Sequence, residues 1–157
     1  MRRYWLFKSE PDTFSIDDLA RSPNQTTPWD GVRNFQARNM LRDEMKPSDQ
    51  GFFYHSSCAQ PGIVGIVSIT AAGYPDRSAQ DPQSPYFDPK SRTDNPIWYS
   101  VDVKLIRKFD LPLTLTALRN AESLADLVIL RKGNRLSITP ITPTQWHHIL
   151  ELTNSRR

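Results

Sequence analysis

The residues best suited to chemistry lie in one stretch, Trp29-Asp30-Gly31-Val32-Arg33-Asn34-Phe35-Gln36-Ala37-Arg38-Asn39. Eleven positions hold aromatic rings, a glycine turn, two arginines and three side-chain amides. Asp30-Gly31 marks a turn, because glycine accepts backbone angles that other residues avoid. Beyond it Ala37, Met40, Leu41 and Met45 recur at helical spacing. A helix is therefore expected from Asn34 to Met45, capped by the Asn34 side-chain oxygen and stopped before Pro47. A helix start carries free N–H groups and partial positive charge, which suit an anion such as phosphate. Trp29, just ahead of it, offers a flat face. Something flat and something anionic could both bind here; the plain alternative is a loop-to-helix junction with a tryptophan plugging the core.

A search for catalytic groups finds little. Cys58 and His55 are near each other in sequence, but a nucleophile pair needs the two side chains to meet and a third group to orient the base. A lone cysteine is more often a small buried hydrophobe. His147 and His148 are adjacent, so on a helix they point about 100° apart and cannot share a metal as an i, i+4 pair would. No zinc-ligand spacing, phosphate-binding glycine loop or dinucleotide fingerprint is present. No catalytic residue, metal or cofactor is expected.

A binding reading fares better. Four groups could line one cleft: Lys8-Ser9-Glu10 at the end of a first strand; Trp29 with Val32, Arg33, Asn34 and Arg38; Tyr54-His55-Ser56 at the end of a later strand; and Trp98 after a long loop. Strand ends and their loops are where sites are usually built. Two tryptophan rings with amides and hydroxyls between them make a slot for a flat heterocycle. Stacking contributes roughly 1–3 kcal/mol per base, edge hydrogen bonds select the base, and arginines at the rim hold phosphate. Trp5 and Trp146 each lie in an apolar period and read as core; Trp29 is flanked by polar residues, and Trp98 fits either role.

The elements that must position these groups follow from pattern. Arg3 to Lys8 is a short apolar and aromatic run, hence a buried strand. Ser15 to Ala20 reads as a helix with Ser15 as its cap and acidic residues in the first turn. Ser22 to Pro28 is polar and proline-bearing, hence a loop. Gly51 to Ser56 and Gly62 to Ile69 read as strands, the second with glycines that suggest bulges. Tyr74 to Pro96 holds five prolines around the pair Tyr86-Phe87, a long loop whose aromatics argue for a function. Ile97 to Ile106 alternates as a strand does. Leu113 to Asn120 is a short helix, Leu124 to Leu130 is apolar without a clear period, and Leu136 to Ile141 is a last strand. Thr142 and Pro143 open a C-terminal helix with Trp146, Ile149 and Leu150 facing inward, and Ser155 to Arg157 reads as a frayed tail. The order points to an α+β fold with a mostly antiparallel, curled sheet and helices at its rim.

Size and composition agree with one domain. A chain of 157 residues can bury a real core. Its net charge of +3 permits a nucleic-acid partner without requiring one. No apolar run approaches the roughly 20 residues that span a membrane, so no membrane partner is expected. A single cysteine allows no internal disulfide, and the expected home is the cytoplasm, or a nucleus in a eukaryote.

The stretch from Trp29 to Asn39 resembles the signature of the EVE domain family. Further matches are Tyr4-Trp5-Leu6-Phe7-Lys8-Ser9-Glu10-Pro11, Phe53-Tyr54-His55-Ser56, Gly62-Ile63-Val64-Gly65, Tyr86-Phe87-Asp88-Pro89-Lys90, Trp98 to Val103, Leu130-Arg131 and Leu136 to Ile141. They run in order through nearly the whole chain. The resemblance implies one domain over 1–152 with a tail at 153–157. The implied fold is PUA-like: a small mixed β-barrel, or pseudobarrel, with surrounding helices. It is related to YTH domains, which grip N-methylated adenine in RNA with an aromatic cage. The resemblance also implies a reader of modified bases, modified cytosine in DNA being favoured and RNA the other candidate.

By position, Trp29 would be one cage wall and Trp98 a second. Ser9, Asn34, Tyr54, His55 and Ser56 would contact the base edge or form the pocket wall. Lys8, Arg33, Arg38 and Arg131 would face phosphate. Glu10 and Val32 complete the candidate set. Phe35 stands where a tyrosine is common in the family, which costs a hydroxyl and keeps the ring. Two other readings stay open: an RNA-processing enzyme of PUA-like type using His55, Tyr54 and Lys8 as acid and base, and a protein-interaction module using the 74–96 loop. A monomer or weak dimer is expected.

Overall fold

A computed structural model describes residues 2–155. Strand β1 (Tyr4–Ser9) lies one place in from the edge of a six-stranded sheet. It pairs in parallel with β3 (Gln50–His55) and antiparallel with β6 (Ile138–Ile141). Beyond β3 come β4 (Gly62–Pro75), β5 (Tyr99–Thr114) and the short β2 (Thr26–Pro28), all antiparallel. The order is β2-β5-β4-β3-β1-β6, so β2 and β6 are the two edges. This is the expected α+β fold with a mostly antiparallel sheet; among the described residues its edges do not pair to close a barrel.

Side chains alternate across a strand, and β1 shows what that does. Trp5 and Phe7 enter one core with Phe53, Val67, Ile69, Val101 and Val103. Leu6 enters a second core with Phe52, Tyr54, Ile63, Phe109 and Leu113. Helices α1 (Ile16–Arg21) and α2 (Phe35–Asn39) cover the first face; α3 (Leu115–Asn120) and α4 (Pro143–Ser155) cover the second. Each helix is capped by a residue that sequence patterning picks out or places nearby. Ser15 and Asp18 form a reciprocal capping box. Asn34 Oδ1 accepts the Ala37 N–H, Thr114 caps α3, and Thr142 exchanges hydrogen bonds with Gln145. Past Asn39, α2 continues as a wider π-type turn over Met40–Glu44 and stops at Met45, as expected ahead of Pro47.

Several boundaries differ. Strands β4 and β5 run to Pro75 and Thr114, well past the expected 69 and 106. Their pairing slips at four points, between Ile63/Gly65, Ile66/Val67, Ile69/Ala71 and Ala71/Tyr74. Each slip breaks the two-residue alternation by which a strand is recognised. At Gly65 the chain approaches so closely that a Cβ would lie 2.5 Å from the Arg107 carbonyl oxygen. Residues 26–28, expected as loop, form β2. Helix α3 starts at Leu115 because Thr114, its cap, still belongs to β5. Helix α4 reaches Ser155 with Thr153 buried, so the expected tail at 153–157 begins as helix. Arg156 and Arg157 lie outside the described residues.

Candidate nucleic-acid site

A cavity of about 630 Å³ opens on the α1–α2 face of the sheet. One wall is the end of β1 with the turn after it, from Lys8, Ser9 and Glu10 to Thr13 and Phe14. The Glu10 carbonyl accepts the Thr13 and Phe14 N–H groups, which folds that turn. A second wall is Thr27 through Asn34. Tyr86 of the long loop forms a third, and Arg135 and Ser137, just ahead of β6, close the fourth.

Trp29 is fixed from both sides. Its N–H donates to Val101 O at 2.7 Å, extending the β2–β5 pairing by one residue. Its ring meets Phe7 and Phe53 nearly edge-on, with centroids 5.1 and 5.6 Å away. The chain then turns at Gly31, whose φ of +77° favours glycine; a Cβ there would also lie 2.8 Å from the Tyr86 ring.

The fully buried Asp76 ties this stretch to the long loop. Its Oδ2 accepts the Gly31 N–H at 2.9 Å and Arg33 Nη1 at 3.0 Å. Its Oδ1 accepts the Ser78 N–H and Oγ–H. Burial alone would push this carboxyl up, but the bonds from Ser78, Gly31 and Arg33 outweigh it and hold the group below its usual range. Arg33 Nη2 also donates to Tyr86 O at 2.6 Å, clamping Tyr86 beside the cavity. Asp30, by contrast, is raised, first by burial and second by the neighbouring Asp76 charge.

The structure brings Lys8, Ser9, Glu10, Trp29, Val32, Arg33 and Asn34 into this one cavity. The remaining candidates lie elsewhere. Trp98 is not a wall: its ring stacks on Phe35 at 4.9 Å, and its Nε1–H donates to Asp88 Oδ2 at 2.7 Å. Arg38 donates to Ile97 O and Asn39 Oδ1. Tyr54 belongs to the second core, because strand alternation sends it to the face opposite His55. His55 Nε2 accepts the Ile16 N–H at 3.1 Å at the start of α1, and burial lowers its pKa, which favours that neutral acceptor. Ser56 donates its N–H to Ser9 O, and Arg131 is exposed at the end of a 3-10 turn. Tyr54 and His55 are therefore not brought together as an acid–base pair.

Phe14, Asp30, Tyr86 and Arg135 line the cavity without having been picked out as site residues. Tyr86 carried a signal, an aromatic pair in a proline-rich loop. Asp76 carried none, since its partners Gly31 and Arg33 are more than forty positions away. Among the described residues no cluster of histidine, cysteine and carboxylate fits a metal ion.

What the walls offer is chemically specific: rings from Trp29, Phe14 and Tyr86, two carboxylates and three cations around a slot of ligand size. The EVE domain family pattern matches residues 3–152. The chain belongs to the EVE domain family. This EVE domain is 43% identical to thymocyte nuclear protein 1 of Gallus gallus over 169 aligned residues, covering 98% of the chain and 69% of the relative. A crystal structure from Pseudomonas putida shares 51% identity and a TM-score of 0.90, over 96% of this chain and 99% of that one. Human THYN1, whose crystal structure is a complex with 5-methylcytosine containing DNA, shares 40% identity and a TM-score of 0.90, over 96% and 97% of the two chains. With the family comes the PUA-like fold.

Proposed function

We propose that this EVE domain binds DNA and takes a 5-methylcytosine base, swung out of the helix, into the cavity beside Trp29 and Tyr86. The observation that carries the reading is the cavity itself: aromatic rings, carboxylates and cations held on one face. The DNA complex of human THYN1, at the similarity given above, supplies the ligand class. Swinging a base out costs a few kcal/mol in duplex, less where it is unpaired. Stacking in the cavity offsets that cost.

Each wall has a role in this reading. Trp29 and Tyr86 take the faces of the base. The Asp30 carboxylate accepts from the cytosine exocyclic amine, an interaction that thymine, with a carbonyl there, cannot make. Lys8 and Arg135 hold flanking phosphates, so affinity falls as salt rises. Asn34 spends its oxygen on the α2 cap and keeps its amide N–H₂ for the ligand. Arg33 works chiefly as the clamp on Tyr86. A compartment that holds DNA, nucleus or cytoplasm, follows.

The test is competition between methylated and unmethylated cytosine oligonucleotides. A methyl buried in a dry slot is worth roughly 0.8 kcal/mol, about fourfold in affinity. Wild type is expected to prefer the methylated strand by at least that factor. Trp29→Ala should lose the preference, and so should Tyr86→Ala, whose partly exposed ring can be removed without opening a core. Equal binding of both strands by wild type would sink the reading.

A further inference from the structure

Three exposed aromatic rings remain on the described surface: Phe35 at 57%, Tyr86 at 38% and Phe87 at 40% exposure. All three sit on or next in the chain to a cavity wall. Phe35 follows Asn34, Tyr86 is itself a wall, and Phe87 follows Tyr86. Singly exposed aromatics need no explanation, but three in chain segments that adjoin one cavity's walls do.

Two of these rings, Tyr86 and Phe35, are tied into one set of contacts. The Arg33 guanidinium lies 5.8 Å from the Tyr86 ring and 5.2 Å from the Trp98 ring. Trp98 stacks on Phe35 with centroids 4.9 Å apart and planes at 28°. The Arg38 guanidinium lies 5.0 Å from the Phe35 ring. Tyr86, Arg33, Trp98, Phe35 and Arg38 thus follow one another from the cavity wall outward, with Trp98 and Phe35 ring on ring and Arg38 at the far end. The row is anchored from below: Asp88 accepts the Trp98 Nε1–H, and Ser91 Oγ accepts the Ile97 and Trp98 backbone N–H groups. Trp98 is 7% exposed, so the part of this stack that reaches solvent is Phe35. A core has no use for a ring that is more than half exposed on a five-residue helix, and a tryptophan held rigidly behind it keeps it in place.

We propose that Phe35 is a second stacking site, which receives the base next to the one held in the cavity, with Arg38 beside it matching the negative charge of the strand. The proposal rests on the cavity binding a base. The chemistry is that of single-strand platforms, where aromatic rings take successive bases in a positively charged setting and do not read sequence. A guanidinium carries five N–H donors, so Arg38, which donates to Asn39 Oδ1 and Ile97 O, keeps donors for phosphate. Phe35 contributes no hydrogen bond, so its effect is the same whether the neighbouring cavity base is methylated or not.

The experiment compares Phe35→Ala and Phe35→Leu with wild type on three probes: a methylated single-stranded oligonucleotide, its unmethylated twin, and 5-methyl-dCMP alone. Both variants should weaken the two oligonucleotides by the same factor, roughly 5- to 150-fold. Binding of 5-methyl-dCMP, which has no neighbouring base, should stay within twofold. Phe35→Trp should restore oligonucleotide affinity, because it restores a π-face. Oligonucleotide binding unchanged in Phe35→Ala overturns the proposal. So does an equal loss on 5-methyl-dCMP, which would make Phe35 a support for the cavity. If wild type fails to prefer the methylated strand while Phe35→Ala still weakens both strands, the stacking site stands and the methylcytosine reading falls. Wild type that binds no oligonucleotide overturns both.

Discussion

The two faces of the sheet use the same strands and end differently. On the α3–α4 face Trp146 is stacked by Tyr4 at 4.4 Å and Phe52 at 4.1 Å, with interplanar angles of 22° and 23°. Protein rings occupy the positions that a flat ligand would take. On the α1–α2 face Trp29 meets Phe7 and Phe53 edge-on, at 64° and 88°, and lines an open cavity. One tryptophan closes its face and the other leaves a slot. Burial does not separate them, since they are 3% and 8% exposed. The orientation of the neighbouring rings does, along with the polar residues that surround Trp29.

The largest break in this comparison is Trp146→Ala. Emptying a filled aromatic stack should cost roughly 3–5 kcal/mol of stability, read as a lower midpoint in denaturant. Oligonucleotide affinity of the protein that remains folded should be unchanged. Next comes Asp76→Asn, which acts on the open face. Removing the charge from a buried pair typically costs several kcal/mol; about 3 is expected here, because Arg33 retains some access to water. This variant should also loosen Tyr86 and weaken base binding, whereas Trp146→Ala should not. A pH profile sharpens the point. Asp76 is held below its ordinary range in the folded state, so its stabilisation is full above the unfolded carboxylate pKa of about 3.9. It is lost as pH falls through that value toward the folded one. Asp76→Asn should remove this part of the acid sensitivity and leave the rest of the profile in place.

Local signals read well from the chain and long-range ones did not. The caps Ser15, Asn34 and Thr142 each depend on residues three positions away, within reach of pattern. The strand order and the lengths of β4 and β5 depend on pairing slips that no local alternation records. The site divides in the same way. Lys8 to Glu10 and Trp29 to Asn34 form contiguous wall segments, so their clustering was visible. Trp98 looked like a partner for Trp29 because it follows the long loop. Its ring instead turns to Phe35 and Asp88, a choice set by where residues 76–98 fold back. Tyr86 takes the wall position, placed there by Arg33 and the buried Asp76. Arg135 lines the cavity where Arg131 was expected, four residues along a segment whose irregular turns give no period to read.

The central claim is that the face left open by Trp29 holds a methylated cytosine. A crystal structure of this protein with a 5-methylcytosine oligonucleotide tests it most directly. The account predicts the methylated base out of its stack and inside the cavity, against Trp29 and Tyr86, with its exocyclic amine toward Asp30. A methylated base that remains stacked in the strand while the cavity stays empty would contradict it.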